Sequence, residues 1–297
     1  MKETLMNFGE VLENVSLKNY NTFRIGGMAS FIIFPKTVCD VQNLIYFLKE
    51  KNIKYFVLGN GSNVIFSDQL FDGVIVNLKK MDAIIYQGTQ VICESGVMMP
   101  RLAMDVISHG LKGFEWAAGI PGTVGGCVYG NAEAYKESTF DFLLEVQVLT
   151  PEGDLKILKK ADLSYGYRTS FFKENPGYVL LSATFSLEYG DKEESMEKIL
   201  CRKEKRMETQ PLDYPSAGSV FRNPSSDNPS GKIIESIGMK GYIIGGAEVS
   251  KKHANFIVNT GNATSNDVRN LVELVHQRVQ KETNIDLVME QEFVGWD

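Results

Sequence analysis

Two glycine-rich stretches in the first half of the chain constrain its fold more than anything else in the sequence. Gly59-Asn60-Gly61-Ser62-Asn63 directly follows the strand-like run Tyr55–Leu58. Further on, Gly119-Ile120-Pro121-Gly122-Thr123-Val124-Gly125-Gly126 gathers four glycines and a proline into eight residues. Glycine adopts backbone conformations closed to other residues, and it brings main chain close to a neighbour with no side chain between. N–H groups collected in such turns form a nest for anionic oxygens, pyrophosphate included. Neither stretch follows G-x-x-x-x-G-K-[ST] or G-x-G-x-x-G at the start of a helix, so the common phosphate-binding folds are not indicated. Taken singly, each reads equally well as a tight turn or an irregular loop. Taken together in one domain, they suit a long, bent cofactor.

Strand and helix signals alternate around these stretches. Ala29–Phe34 reads as a strand closed by Pro35, and Val38, Val41, Ile45 and Leu48 recur at helical spacing up to Lys51–Asn52. Gly73–Leu78, Ala83–Tyr86 and Val91–Cys93 read as strands, the last two joined by a tight turn at Gln87–Gln90. Pro100 opens a helix that Gly110 closes. Leu143–Thr150 and Leu155–Leu158 flank a Pro151-Glu152-Gly153 turn, followed by a strand at Tyr178–Leu187 and a charged helix at Asp191–Thr209. A domain boundary is expected at roughly residues 205–212, where Pro211 and Pro215 interrupt the pattern. Beyond it come a helix at Gly231–Ile237 and strands at Tyr242–Val249 and Phe256–Asn259. Thr264-Ser265-Asn266-Asp267 forms a capping box before a helix faced by Val268, Leu271, Val272, Val275 and Val279, and Asp286–Val294 is the last strand. Without a sustained βαβ rhythm, the fold class is α+β.

Composition narrows the chemistry. A length of 297 residues suits two compact domains, and a net charge of −6 leaves no broad basic surface for a nucleic-acid backbone. Positive charge focused in one cleft would still hold an anionic small molecule. The cysteines Cys39, Cys93, Cys127 and Cys201 lie far apart, so neither a disulfide framework nor a zinc site is signalled, and reduced, mostly buried thiols are expected. His109 stands at a helix end and His276 inside a helical pattern, both ordinary structural places, and no metal is expected. No run reaches about 18 apolar residues and Met1–Gly9 lacks the signal-peptide pattern, so a cytoplasmic protein is expected.

Three further clusters carry side-chain chemistry. Tyr165-Gly166-Tyr167-Arg168-Thr169-Ser170 presents an arginine, whose planar fork matches a carboxylate. In Ser216-Ala217-Gly218-Ser219-Val220-Phe221-Arg222-Asn223-Pro224, Ser219 follows a glycine but has no neighbouring histidine, so the hydrolase elbow is not met. Glu290 and Glu292 share one face of the last strand, with Met289, Gln291 and Phe293 on the other. Taken singly, each cluster is accounted for more readily by packing or solvated surface than by function.

Together these segments resemble the UDP-N-acetylenolpyruvoylglucosamine reductase (UDP-N-acetylmuramate dehydrogenase) family. The likeness runs from Asn21-Thr22-Phe23-Arg24-Ile25-Gly26-Gly27 to Glu292, through LGNGSN, GIPGTVGG, YGYRTSFFK, SAGSVFRNP, GMKGYIIGGAEVS, HANFIVNTGNAT and MEQE in the family's order. It implies an FAD-binding domain of the vanillyl-alcohol-oxidase-like (PCMH-type) kind over residues 1–208, in lobes of about 1–75 and 76–208. A C-terminal α+β substrate domain would follow over 209–297, its last strand returning Glu292 to the active site. The glycine segments become the FAD site: Gly59, Asn60, Gly61, Ser62 and Asn63 for pyrophosphate, and Gly119, Ile120, Pro121, Gly122, Thr123, Gly125 and Gly126 toward the flavin. Arg168, Ser219 and Glu292 fall on the three catalytic positions. Asn223 and Lys240 fall on substrate positions, and Tyr167 and His253 are further candidates for substrate contact. Glu133 stands where a glycine is usual, and the tyrosine-bearing insertion of one branch of the family is missing after Arg168.

The implied reaction belongs to peptidoglycan precursor synthesis, and so to cell-wall biogenesis, cell shape and division. NADPH reduces noncovalently bound FAD, and the enolpyruvyl ether of UDP-N-acetylglucosamine then receives hydride and a proton to become UDP-N-acetylmuramate. Arg168 and a protonated Glu292 stabilise the enolate, and Ser219 delivers the proton. The expected partners are these small molecules alone, with no nucleic acid, no membrane and a monomeric chain. Competing readings are an FAD-dependent oxidase of the same fold acting on another sugar or alcohol, and a non-catalytic binding protein.

Overall fold

The helical spacing of Val41, Leu44, Ile45 and Leu48 becomes the Val38–Glu50 helix in the computed structural model, which describes residues 1–296. Thr37 and Asp40 close a capping box at its start, the Thr37 hydroxyl accepting from the Asp40 N–H and the Asp40 carboxylate from the Thr37 N–H. The helix buries these four residues among Leu5, Ile33, Val74 and Val76. They belong with a four-stranded sheet of order Glu10–Ser16, Met28–Phe34, Phe71–Asn77, Tyr55–Leu58, whose last two strands run parallel with Tyr55 opposite Val74.

The chain divides into two compact units. One comprises residues 1–13, 31–60 and 73–204; the other comprises 14–30, 61–72 and the residues from 205 onward. The division thus differs from one drawn by chain order alone. Phe23, Ile25 and Ile65 pack with the C-terminal apolar residues, and Glu292–Val294 pairs in parallel with Val64–Phe66, Glu292 opposite Val64.

Within the first unit a second core forms on a five-stranded antiparallel sheet. Its order is Leu155–Lys159, Leu143–Leu149, Val179–Ser186, Gln90–Glu94, Ile84–Gln87. The helices Met99–Ser108 and Val124–Gly130 cover it, with Phe114, Trp116, Phe140 and Phe185 filling the interior. Phe114 meets Phe185 edge-on at 5.0 Å, a favoured geometry for aromatic rings. The charged helix Lys192–Thr209 is anchored through Ser195, whose hydroxyl donates to the buried Glu115 carboxylate at 2.7 Å.

In the second unit the helix Ser265–Thr283 buries Val268, Leu271, Val272, Val275 and Val279. It packs on an antiparallel sheet of Ile243–Ile244, Ala247–Val249 and Ile257–Asn259, beside the shorter helix Ser230–Ser236. Three expectations need correction. Tyr242–Val249 is a hairpin rather than one strand, because Gly245 takes a left-handed turn (φ 54°) and the chain reverses. The last strand is confined to Glu292–Val294, and Met289 contributes only a single bridge to Phe221. Finally, Cys93 and Cys127 are buried but Cys39 and Cys201 are exposed, so only half of the thiols pack as small hydrophobes. Among the described residues no helix is long and apolar enough to cross a membrane, and no His, Cys, Asp and Glu group is arranged to hold a metal.

Thr264 accepts from the Asp267 N–H, and Asp267 reaches back to the Thr264 N–H. Thr264→Ala should therefore lower unfolding stability by about 1 kcal/mol in urea titration, the ordinary value of an N-cap. An unchanged midpoint would show that the cap is dispensable.

Candidate active site

The first unit holds Gly59, Asn60 and the whole of the second glycine-rich stretch, and it sets them edge to edge. Asn60 Nδ2 donates to the Pro121 carbonyl at 2.7 Å, and Lys79 Nζ donates to Asn60 Oδ1 at 2.9 Å. Asn77, almost wholly buried, holds the base of the turn: its Nδ2 donates to the Gly59 carbonyl and its Oδ1 accepts from Lys79 N–H. A Cβ on Gly59 would stand 2.4 Å from Thr123 Oγ1, so only glycine allows the two segments to touch. The second stretch is not a loop throughout. Gly119 and Ile120 leave a short 3-10 turn, Gly122 accepts from Met99 N–H, and Thr123 caps the Val124–Gly130 helix by accepting from Gly126 N–H. Gly125 packs on Ser95, whereas a Cβ on the exposed Gly126 would meet nothing nearer than Thr123 Oγ1 at 3.6 Å. Gly119 and Gly126 are exposed and carry no side chain, so their main chain is open to the outside.

Gly61, Ser62 and Asn63 belong to the second unit. Gly61 has φ 65°, and a Cβ there would lie 2.3 Å from the Tyr20 carbonyl. Its own carbonyl accepts from Thr22 N–H. The glycine thus serves the protein's own packing, and a larger residue would disturb the turn before any ligand was met. Asn63 fixes the last strand, its carbonyl accepting from Glu292 N–H and its Nδ2 donating to the Glu290 carbonyl.

Arg168 occupies the second turn position of a two-residue hairpin, Tyr165–Gly166 pairing with Thr169–Ser170. Its φ of 57° is left-handed, a conformation that costs a non-glycine residue about 1–2 kcal/mol. The surroundings hold it there. Buried Asn131, at the C-cap of the Val124–Gly130 helix, donates to the Gly166 carbonyl, and the Ser170 hydroxyl donates to the Tyr129 carbonyl. Arg168 Nη1 donates to the Glu133 carbonyl at 3.2 Å, and the guanidinium lies over the Tyr167 ring. Cys127, on the same helix, is inert: burial pushes its thiol up to about 12 even against the pull of the Arg168 charge.

Ser219 and Glu292 lie in the second unit on cross-tied segments. Ser219 bridges Phe256, Val220 N–H donates to the Asn255 carbonyl, and Glu290 N–H donates to the Val220 carbonyl. Buried Gln291 donates from Nε2 to the carbonyls of Ala217 and Gly218, just before the serine. The other candidates gather near the short helix. Asn223 Oδ1 accepts from Ser230 N–H, and Lys240 pairs with Glu235 at 2.7 Å. His253 Nδ1 accepts from Asn255 N–H, which requires the neutral ring. Burial, helped by the Lys240 charge, holds this histidine below its ordinary value and so neutral at pH 7. Tyr167 is exposed beside Arg168. Sequence reasoning missed Asn131, Asn255 and Gln291, whose amide groups donate to carbonyls 34 to 74 residues away and leave no local pattern.

Residues 29–159 match the FAD binding domain family. A glucose dehydrogenase, Phl p 4.0202, shares the fold at a TM-score of 0.50 and 15% identity, over 62% of this chain and 42% of that one. The paired glycine segments agree with this match. The exposed Gly119 and Gly126 allow close main-chain approach, and Lys79 beside Asn60 brings positive charge for phosphates, so the residues present fit FAD. The fold and site thus define an FAD-binding α+β protein. Residues 210–294 match the UDP-N-acetylenolpyruvoylglucosamine reductase C-terminal domain. The chain is 40% identical to the UDP-N-acetylenolpyruvoylglucosamine reductase of Caldanaerobacter subterraneus subsp. tengcongensis over 99% of its length and 97% of that protein, and 39% identical to the Clostridium novyi protein of that name over 99% and 95%. The crystal structure of the Thermus caldophilus UDP-N-acetylenolpyruvylglucosamine reductase superimposes with a TM-score of 0.79 at 31% identity, covering 96% of this chain and 98% of that one. The chain belongs to the UDP-N-acetylenolpyruvoylglucosamine reductase family.

The left-handed backbone at Arg168 makes a stability prediction independent of activity. Arg168→Gly should be more stable than Arg168→Ala by about 1 kcal/mol in thermal or urea unfolding, since only glycine is at ease there. Equal stabilities would mean that the turn relaxes in the variants.

Proposed function

We propose that this protein is an FAD-dependent UDP-N-acetylenolpyruvoylglucosamine reductase, which uses NADPH to convert the enolpyruvyl ether of UDP-N-acetylglucosamine to UDP-N-acetylmuramate for peptidoglycan. The observation that carries the reading is identity near 40% with relatives of that name across 99% of the chain. It counts against an oxidase of the same fold, because the C-terminal match to the reductase family would then have no purpose. A cytoplasmic monomer is the expected form, checked by fractionation and light scattering.

Residues 1–208 would bind FAD and those from 209 onward the substrate. Gly59, Asn60 and the 119–126 segment would line the dinucleotide, Gly119 and Gly126 with bare main chain, and Lys79 beside Asn60 adds positive charge for its phosphates. When bound, FAD supplies the hydride relay from NADPH to the enolpyruvyl carbon. Arg168 places charge-assisted hydrogen bonds on the negative charge that develops at the substrate carboxylate. Glu292 is the second proposed contact for that charge, and Ser219 gives its hydroxyl proton to the carbon that bears the carboxylate, next to the one that takes the hydride. Asn223, Lys240, Tyr167 and His253 are the proposed substrate contacts. The neutral His253, unable to contribute charge, suits a polar hydroxyl or amide better than a phosphate.

The Cys127 thiol, kept protonated by burial, is a poor nucleophile toward a flavin, which supports noncovalently held FAD. Acid precipitation should release all yellow colour into the supernatant; colour left in the pellet would contradict this. Ser219 is tested by separating the two half-reactions in stopped flow. Flavin bleaching by NADPH needs no proton on carbon and should proceed normally in Ser219→Ala. Recolouring by the enolpyruvyl substrate should slow by roughly 10²–10⁴-fold, the range of a positioned acid. Equal slowing of both halves would make the serine a structural residue.

A further inference from the structure

Ser219 stands on a stretch with almost no regular pairing. Two isolated bridges, Ser219 with Phe256 and Phe221 with Met289, are all the ladder it has. A hydroxyl that must meet one carbon needs its backbone held to within a fraction of an ångström. Two buried carboxamides meet that need, one on each flank.

Gln291 takes the flank before the serine. It is 3% exposed, and its Nε2 donates to Ala217 O at 3.0 Å and to Gly218 O at 3.3 Å. Gly218 is left-handed (φ 75°), so its carbonyl faces no regular strand partner. Gln291 Oε1 is buried and accepts from no donor among the described residues, so the donor end of this side chain is the end the structure uses. Asn255 takes the flank after the serine. It is also 3% exposed, and its amide copies a strand neighbour: Nδ2 donates to Phe221 O at 2.8 Å while Oδ1 accepts from Phe221 N–H at 3.0 Å. Its own carbonyl accepts from Val220 N–H at 2.8 Å. Four backbone groups and a fifth, within five residues around Ser219, thus depend on two side chains and one carbonyl. Gln291 also directly precedes Glu292, whose N–H is tied to Asn63 O at 3.0 Å.

We propose that Gln291 and Asn255 are positioning residues for the reductive half of the reaction, a pair of buried amides that fix the backbone of the proton-donating serine and couple it to the strand of Glu292. The proposal rests on the reading of Ser219 as proton donor. Neither amide need touch the substrate; each acts through the segment 217–221.

Gln291→Met keeps the length of the side chain and removes the two donated bonds; it also deletes a buried acceptor that has no donor, which offsets part of the stability lost at the Ala217 and Gly218 carbonyls. Asn255→Asp keeps the shape and turns one donor into an acceptor facing the Phe221 carbonyl. Each variant should retain its flavin spectrum and bleach with NADPH at the normal rate. Recolouring by the enolpyruvyl substrate should slow about 10- to 100-fold, the scale on which an ångström of misplacement acts. The loss should fall on kcat, with KM unchanged. Hydrogen–deuterium exchange, read without turnover, should accelerate within residues 217–222 and nowhere else in the second unit. The deciding measurement is a double-mutant cycle: in a Ser219→Ala background, Gln291→Met should cause no further slowing, because the group it positions is gone. Slowing by the same factor in both backgrounds, or normal recolouring in both single amide variants, overturns the proposal. Normal recolouring in Ser219→Ala alone overturns the serine reading first and this one with it, so the two failures are told apart by that single variant. Should either amide variant fail to fold, the other completes the same cycle.

Discussion

Buried main-chain groups outside helices and sheets must find partners, and in this protein buried carboxamides supply them. The requirement is general, because an unpaired peptide group removed from water costs about as much as the hydrogen bond it forgoes. Asn21 donates to the carbonyls of Leu17 and Ile25, Asn77 braces the Gly59 turn, and Asn131 links Gly166 to Phe140. Asn259 donates to Phe23 O and accepts from the N–H groups of Gly261 and Ala263. Asn255 and Gln291 do the same around Ser219. All six are nearly or wholly out of solvent. Four of these amides stand beside segments that carry proposed functional residues: Asn77 at the Gly59 turn, Asn131 at the Arg168 hairpin, and Asn255 and Gln291 at Ser219. A core of apolar side chains alone could not hold such backbone, because it offers nothing for the peptide groups to bond.

The same fact explains what could be read from the sequence. Periodic elements with local signals were legible: the Val38–Glu50 helix, the Ile84–Gln87 and Gln90–Glu94 hairpin, and the Ser265–Thr283 helix with Thr264 and Asp267 at its start. Short pieces whose partners are distant were not. Val64–Phe66 is three residues long and is a strand only because Glu292–Val294 lies beside it. Glu10–Ser16 escaped notice because left-handed Asn14 breaks its alternation. The helix Val124–Gly130 hid inside a glycine-rich stretch, where propensity argues for a loop. Its place is secured by tertiary bonds, Gly125 N–H to Ser95 O and Val124 N–H to Val97 O.

The proposed site residues divide along the same line. The glycine segments could be suspected on backbone chemistry alone, since glycine is costly unless a close approach or a turn requires it, and Gly59 and Gly61 have one each. Arg168, Ser219 and Glu292 are ordinary polar residues on irregular backbone, and only their family motifs single them out. The residues that hold these positions in place are bound across sequence separations no local pattern spans, so the structure was needed to find them.

At Arg168 the conflict between stability and placement is most direct. Two neighbouring two-residue hairpins turn through left-handed residues that are not glycine, Tyr135 and Lys136 in one and Arg168 in the other. Such strain persists only where the surroundings over-determine it. The first hairpin is held by Tyr135 Oη on the Arg202 carbonyl, by the Arg202 guanidinium over the Tyr135 ring, and by Arg202 on Glu137 at 2.9 Å. Its Glu133 carbonyl in turn accepts from Arg168 Nη1. Glycine at the turn would relieve the backbone but leave no guanidinium to aim. The turn therefore carries an arginine at a position where the backbone would prefer a residue with no side chain, and the adjoining hairpin stabilises that choice.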